Sequence, residues 1–258
     1  MRRVAALLAA LTVAIGGCSS SGTPSGGDRG GTAGLSGSIT VFAAASLTDP
    51  FTALGARFEK AHAGTKIVFS FGGSSALATQ INEGAPGDVF ASAATKNMSD
   101  VTKAGNAVNP VTFVTNSMQI AAAPGNPAHI TGVADLARPG VKVALCEATV
   151  PCGVVAAEVF AKAGVTVKAT ASEPDVKSAL AVVESGEVDA GVVYVTDVKA
   201  AGDKVVGVPI PDAQNATTGY PIAALKESRN AALAKAFVDY VLSADGQQVL
   251  SAAGFRSP

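Results

Sequence analysis

From Ser38 onward, short apolar runs alternate with segments whose apolar residues recur every three or four positions. Ile39-Thr40-Val41-Phe42 reads as a strand, and Phe51, Leu54 and Phe58 as the stripe of a helix whose first turn is marked by Thr48, Asp49 and Pro50. Lys66 to Phe69 is a second strand, followed by Gly72-Gly73-Ser74-Ser75 and a short helix stopped at Gly84. Asp88 to Phe90, Phe113 to Ala123 and Val141 to Leu145 read as further strands, and Gly153 to Ala163 as a helix with Gly164 as its stop. Val176, Leu180 and Val183 form an amphipathic stripe, and Ala190 to Val195 a buried strand. Leu233, Phe237, Tyr240 and Val241 lie on one face of a last long helix. This alternation predicts an α/β fold with a largely parallel sheet.

The first residues break the pattern. Met1-Arg2-Arg3 is a short positive stretch, Val4 to Ile15 an apolar one, and Gly16-Gly17-Cys18 follows. A spanning helix needs about 20 apolar residues, so residues 1–17 read as a signal peptide. Cysteine straight after two small residues resembles the lipobox of bacterial lipoproteins, which implies cleavage before Cys18 and lipidation of its thiol. Two acyl chains anchor stably where one binds reversibly. Residues 18–37 are rich in Ser, Gly and Thr and read as a flexible tether. The expectation is an exported domain, anchored by lipid to the cell membrane and facing the periplasm or the cell exterior.

Of the 258 residues, 48% are hydrophobic, 15% are charged and none is Trp, so the core must be built from aliphatic side chains. The formal net charge is −1, and falls to −3 without Arg2 and Arg3. An acidic balance argues against a nucleic-acid partner, which needs a basic surface.

Candidate chemistry sits where strands give way to helices. The junctions Ala44-Ala45-Ser46-Leu47, Gly72-Gly73-Ser74-Ser75, Val150-Pro151-Cys152-Gly153 and Glu173-Pro174-Asp175-Val176 carry small, hydroxyl or turn residues. Ligands of α/β sheets gather at the carboxyl ends of strands. Helix N-termini there offer unpaired N–H groups and partial positive charge, an anion site without a cationic side chain. A hydrogen bond to a charged group contributes roughly 1.5–3 kcal/mol, so several would hold a dianion in the micromolar range or tighter. Each position also has a plainer reading. Ser46, Ser74 and Ser75 suit helix N-caps, Gly72-Gly73 a tight turn, and Tyr194 a core tyrosine with one hydrogen bond.

The blocks Val41 to Thr48, Phe71 to Leu77 and Gln80 to Phe90, then Pro151-Cys152-Gly153, Asp175-Val176-Lys177 with Ala179-Leu180, and Gly191-Val192-Val193-Tyr194 resemble the periplasmic molybdate-binding proteins of ABC transporters. The resemblance covers essentially residues 38–258. It implies the type 2 periplasmic-binding-protein fold in a lipoprotein form: two α/β lobes, each a mostly parallel sheet flanked by helices, with the ligand buried between them. The lobes would be residues 38–117 plus 216–258, and residues 118–215. It assigns Ser46 and Ser74 as hydroxyl and backbone donors, with Ser75 as a register alternative to Ser74. Cys152 and Val176 would give backbone N–H groups, and Tyr194 its phenolic O–H.

Molybdate near neutral pH accepts hydrogen bonds and donates none, so a site made only of donors suits it and disfavours protonated phosphate. Sulfate also lacks a proton and is excluded by pocket size alone, which tungstate matches. The implied partners are molybdate or tungstate, the membrane permease of an ABC importer, and the membrane itself through the lipid; the chain would be a monomer with no cofactor and no bound metal cation. A binding protein for another tetrahedral oxyanion such as sulfate is the alternative. Two positions depart from the family pattern: Cys152 stands where alanine is usual, and Ala94 where an acid is usual. Cys146 and Cys152 would both meet an oxidising compartment. A disulfide between them, closing a ring at the ligand loop and stabilising by only about 2 kcal/mol, is set against two free thiols.

An enzyme is the competing class. His62 and His129 are the only histidines, and no Gly-x-Ser-x-Gly, His-Glu-x-x-His, Walker A or Cys-x-x-Cys motif is present. His62 falls at the polar end of a helix and His129 in a Pro/Gly-rich loop, leaving no base to activate a serine. An amino-acid ligand would require a carboxylate and an arginine that these junctions do not offer. An adhesion protein would require exposed apolar patches.

Overall fold

The computed structural model of the protein describes residues 35–258. The expected signal peptide, Cys18 and nearly all of the tether lie outside the described residues. Strand β1 (Gly37–Ala44) runs through a 3₁₀ turn at Ala45–Leu47 into α1 (Thr48–Ala61). Then come β2 (Thr65–Gly72), α2 (Ser74–Asn82), β3 (Val89–Ala91), α3 (Thr95–Lys103) and the long β4 (Val111–Ala122). The middle of the chain forms β5 (Val143–Cys146), α4 (Pro151–Ala163), β6 (Ala171–Glu173), α5 (Val176–Glu184), β7 (Ala190–Tyr194), α6 (Val195–Ala201) and β8 (Val206–Val208). Strand β9 (Thr217–Ala224) and helices α7 (Ala231–Leu242) and α8 (Ala244–Ala253) complete it.

The strands join in one sheet of order β2-β1-β3-β9-β4-β7-β5-β6, with β8 also paired to β4. Pairings β1–β2, β1–β3, β5–β6 and β5–β7 are parallel, and every pairing made by β4 or β9 is antiparallel. Strand β4 holds the sheet together. Its first half pairs β9, from Val111 opposite Ile222 to Ser117 opposite Thr217, and its second half pairs β7, from Met118 opposite Tyr194 to Ala122 opposite Ala190.

The buried apolar residues follow this division. One cluster draws on residues 118–216 together with Ala45, and two others on residues 39–114 and 220–255. In the β1 half, α1 buries Phe51, Leu54 and Phe58, the stripe expected from its spacing, against α7 and α8. In the β5 half, α5 buries Val176, Ala179, Leu180 and Val183. Helix α4 stops at Gly164, which takes the left-handed conformation (φ 66°) that glycine adopts without strain.

Two elements differ from the sequence expectation. The last helix is two helices, because Ser243 is extended (φ −69°, ψ 165°) and its Oγ accepts the Gly246 N–H at 3.2 Å, capping α8. The strand expected to reach Val195 stops at Tyr194, whose N–H donates to Asp197 Oδ2 at 3.1 Å and so starts α6. No helix among the described residues is long and apolar enough to cross a membrane.

Phe237 is fully buried against Phe58 (ring centroids 5.5 Å, edge-on), Phe69 (6.1 Å) and Phe51 (6.2 Å). Truncating such a ring costs about 3–5 kcal/mol. Phe237→Ala is therefore expected to lower the thermal midpoint by about 10 °C, measured by circular dichroism on the ligand-free protein.

Candidate functional site

Ala44 at the end of β1, Gly72 at the end of β2 and Tyr194 at the end of β7 line a cavity of about 10 Å³. Around it stand Ala45 and Ser46, Gly73 and Ser74, Ala93, Pro151 and Cys152, and Asp175 and Val176. Ser46, Ser74, Cys152, Val176 and Tyr194, drawn from both halves of the sheet, thus meet at one place. Ser75 does not line the cavity, nor does Ala94, which precedes α3 and exchanges hydrogen bonds with Ser92 Oγ. A space of this size accommodates roughly one water-sized sphere.

Apart from the Asp175 carboxylate, the polar groups around the cavity are hydroxyls and backbone N–H groups that can donate. Ser74 opens α2, and its Oγ accepts the Ala93 N–H at 2.9 Å, leaving the hydroxyl proton for the cavity. Ser46 Oγ lies 2.9 Å from the Tyr220 hydroxyl, which also accepts from Asn116 Nδ2 at 3.5 Å. Either hydroxyl can donate in the Ser46–Tyr220 bond; when Tyr220 does, the serine proton is free for the cavity. Burial pushes the Tyr220 phenol up, which keeps it protonated for that role.

The helix termini add backbone donors. Pro151 opens α4 and has no N–H, so Cys152 supplies the first one, in a turn without a side-chain cap. Cys152 is bonded to Cys146 with an S–S distance of 2.08 Å, which ties the start of α4 to the end of β5. Gly153 permits that ring: a Cβ there would strike the Glu147 carbonyl. In α5, Asp175 Oδ1 accepts from the N–H groups of Lys177 (2.9 Å) and Ser178 (3.0 Å), while Ala179 N–H binds the Asp175 carbonyl. The Val176 N–H is the one left over. That capping also turns the Asp175 carboxylate toward its own helix.

Tyr194 completes the set. It is 1% exposed, its hydroxyl lies beside the Tyr220 phenol without a well-formed hydrogen bond, and burial pushes its own phenol well above the usual range. Leaving a buried hydroxyl unpaired costs about 1–3 kcal/mol, so the O–H is poised for something the cavity receives. No lysine, arginine or histidine lines the space. Among the described residues no group of three or more His, Cys, Asp or Glu could hold a metal ion.

The profile of the bacterial extracellular solute-binding proteins matches residues 39–256. The chain is 42% identical to the molybdate-binding protein ModA of Mycobacterium bovis over 256 residues, spanning 99% of this chain and 96% of that one. The chain belongs to the bacterial extracellular solute-binding protein family. Members bind solutes and are not enzymes. The periplasmic molybdate-binding protein of Azotobacter vinelandii has the same fold (TM-score 0.76, 21% identity, 85% of this chain and 99% of that one). So has the sulfate-binding protein SubI of Mycobacterium tuberculosis (TM-score 0.73, 21% identity, 85% and 86%). The fold is that of the type 2 periplasmic binding proteins.

Three residues beside the site have roles that the sequence did not reveal. Tyr220 and Asn116 orient Ser46; the only local signal was a tyrosine inside the apolar run of β9. Asp197 is a fully buried carboxylate whose Oδ1 has no hydrogen bond. Its signal was an acid three residues after Tyr194, the spacing of a capping box. Lys177 Nζ lies 3.8 Å from Asp197 Oδ1, and Asp49 and Asp175 also face the group.

Burial raises the Asp197 carboxyl from about 3.8 to about 7, against the opposing pull of Lys177 and of the Tyr194 N–H. In the window between those values the folded protein binds more protons than the unfolded chain. The contribution is present below about pH 4 and is lost as pH rises through about 7. Asp197→Asn, which keeps an acceptor for the Tyr194 N–H, is expected to flatten this fall of stability between pH 4 and 7. Urea unfolding across that range measures it.

Proposed function

We propose that this protein captures molybdate and tungstate outside the cytoplasm and delivers them to the permease of an ABC importer. The observation that carries the reading is the buried, unpartnered Tyr194 hydroxyl, which shares a cavity with the donor-only turns at Ser46, Ser74, Cys152 and Val176. An anion with acceptors alone satisfies every one of those groups, and a solute with a proton to donate leaves two donors opposed. The 42% identity to a molybdate-binding protein over nearly the whole chain supports molybdate as that anion.

In this reading residues 38–117 plus 216–258 form one lobe and residues 118–215 the other, closing on the ion from both sides. The disulfide holds the Cys152 donor in place. The protein acts as a monomer without a cofactor, anchored through lipid on Cys18. Sulfate is the competing ligand, because it too lacks a proton; pocket size is what separates the two.

Calorimetric titration with molybdate, tungstate, sulfate and phosphate tests the assignment. Molybdate and tungstate are expected to bind with similar, micromolar or tighter affinity, sulfate more weakly and phosphate not at all. Tighter binding of sulfate overturns the choice of ligand, and no binding of any oxyanion overturns the reading. Tyr194→Phe is expected to weaken molybdate binding by roughly 10- to 100-fold, the loss of one hydrogen bond to a charged group. The same change leaves the empty protein as stable as before or slightly more so, since it removes an unpaired buried hydroxyl. Denaturation of the ligand-free variant checks that second half.

A further inference from the structure

Lys177 follows the donor Val176 in α5, and its ammonium reaches out of its own half of the molecule. Nζ lies 2.8 Å from Oδ2 of Asp49, a residue 128 positions away in the first turn of α1. Asp49 stands three residues beyond Ser46, and the helix it opens is packed into the β1 half through Pro50, Phe51 and Leu54. Helix α5 is packed into the β5 half through Val176, Leu180 and Val183. The Lys177–Asp49 pair therefore bridges the cleft between the elements that present Ser46 and Val176. The halves also meet closely beside it, where a Cβ on Gly73 would lie 2.5 Å from the Pro174 carbonyl oxygen.

On its own side, Lys177 faces Asp197 at 3.8 Å, beyond hydrogen-bond reach, and that carboxylate oxygen has no other partner. One ammonium is thus divided between an exposed carboxylate across the cleft and a buried one beside it. We propose that Lys177 is a positioning residue that latches the cleft shut over the bound anion, held by Asp49 when the halves meet and turning back to Asp197 when they part. The proposal rests on the oxyanion reading above. The Lys177 side chain is 29% exposed and that of Asp49 62%, so the latch is weak. Pairs of this kind change an equilibrium by up to about fivefold. A weak latch suits a protein that must also release its cargo.

The sign of one substitution separates the latch from a simple field effect. Asp49→Asn removes a negative charge beside a dianion, so the field alone predicts tighter binding and slower release. The latch predicts the reverse. In stopped-flow release of molybdate, followed by tyrosine fluorescence or by displacement with tungstate, Asp49→Asn is expected to speed release about two- to fivefold. The double variant with Lys177→Met is expected to release no faster than Lys177→Met alone, and high salt to erase the difference between wild type and Asp49→Asn. The thermal midpoint of the empty protein should move little, since Asp49 is exposed; a purely structural role would appear there instead. Unchanged or slower release from Asp49→Asn overturns the latch while leaving the oxyanion reading intact. Wild-type protein that binds neither molybdate nor tungstate overturns both.

Discussion

The twelve residues of β4 run through both halves of the sheet, and the site exists because they do so without a break. The strand gives its first half to β9 and its second to β7 and β8. Separate apolar clusters are thereby hung on one hydrogen-bonded axis. The register opposite Met118 places Tyr194 at the end of its strand, and the pairing beside it brings Tyr220 within an edge-on ring contact of Tyr194 (6.0 Å). A slip of one residue in either pairing would turn these side chains to the opposite face. Donors from distant parts of the chain converge because a shared strand carries both sets.

What the convergence produces is a buried cluster rich in donors. In most interiors buried polar groups find partners. Here Tyr194 finds none, and the first turns of α4 and α5 keep an N–H each by the local device of a proline in one and an aspartate cap in the other. The empty protein is less stable for this arrangement.

Apart from Asp175, the charged groups stand one layer back from the cavity. Asp197 caps α6 through the Tyr194 N–H, Lys177 offsets its charge, and Asp49 draws on the same ammonium from across the cleft. Asp175 is the one charged residue in the lining, and its carboxylate is engaged in capping α5. Lys177 is the cation that reaches acids of both halves.

Much of this was legible in the chain itself, where local chemistry decides. The stripes of α1 and α5 and the stop at Gly164 follow from spacing and backbone freedom within a few residues, the strand-to-helix turns were visible as candidate anion sites, and the family resemblance of the blocks around them singled out Ser46, Ser74, Cys152 and Val176. The break at Ser243 and the early end of β7 were missed, because each depends on one side-chain-to-backbone hydrogen bond that competes with a continuing apolar pattern. Strands β6 and β8 are three residues long and carry too few positions to show a period. The partners of Ser46 and Ser74, the isolation of Tyr194, and the division of Lys177 between Asp49 and Asp197 could not be read at all. Those contacts join residues from 19 to 174 positions apart. Sequence determined which groups can donate; only the tertiary structure decided which donors are left without an acceptor, because that depends on what the rest of the chain brings beside them.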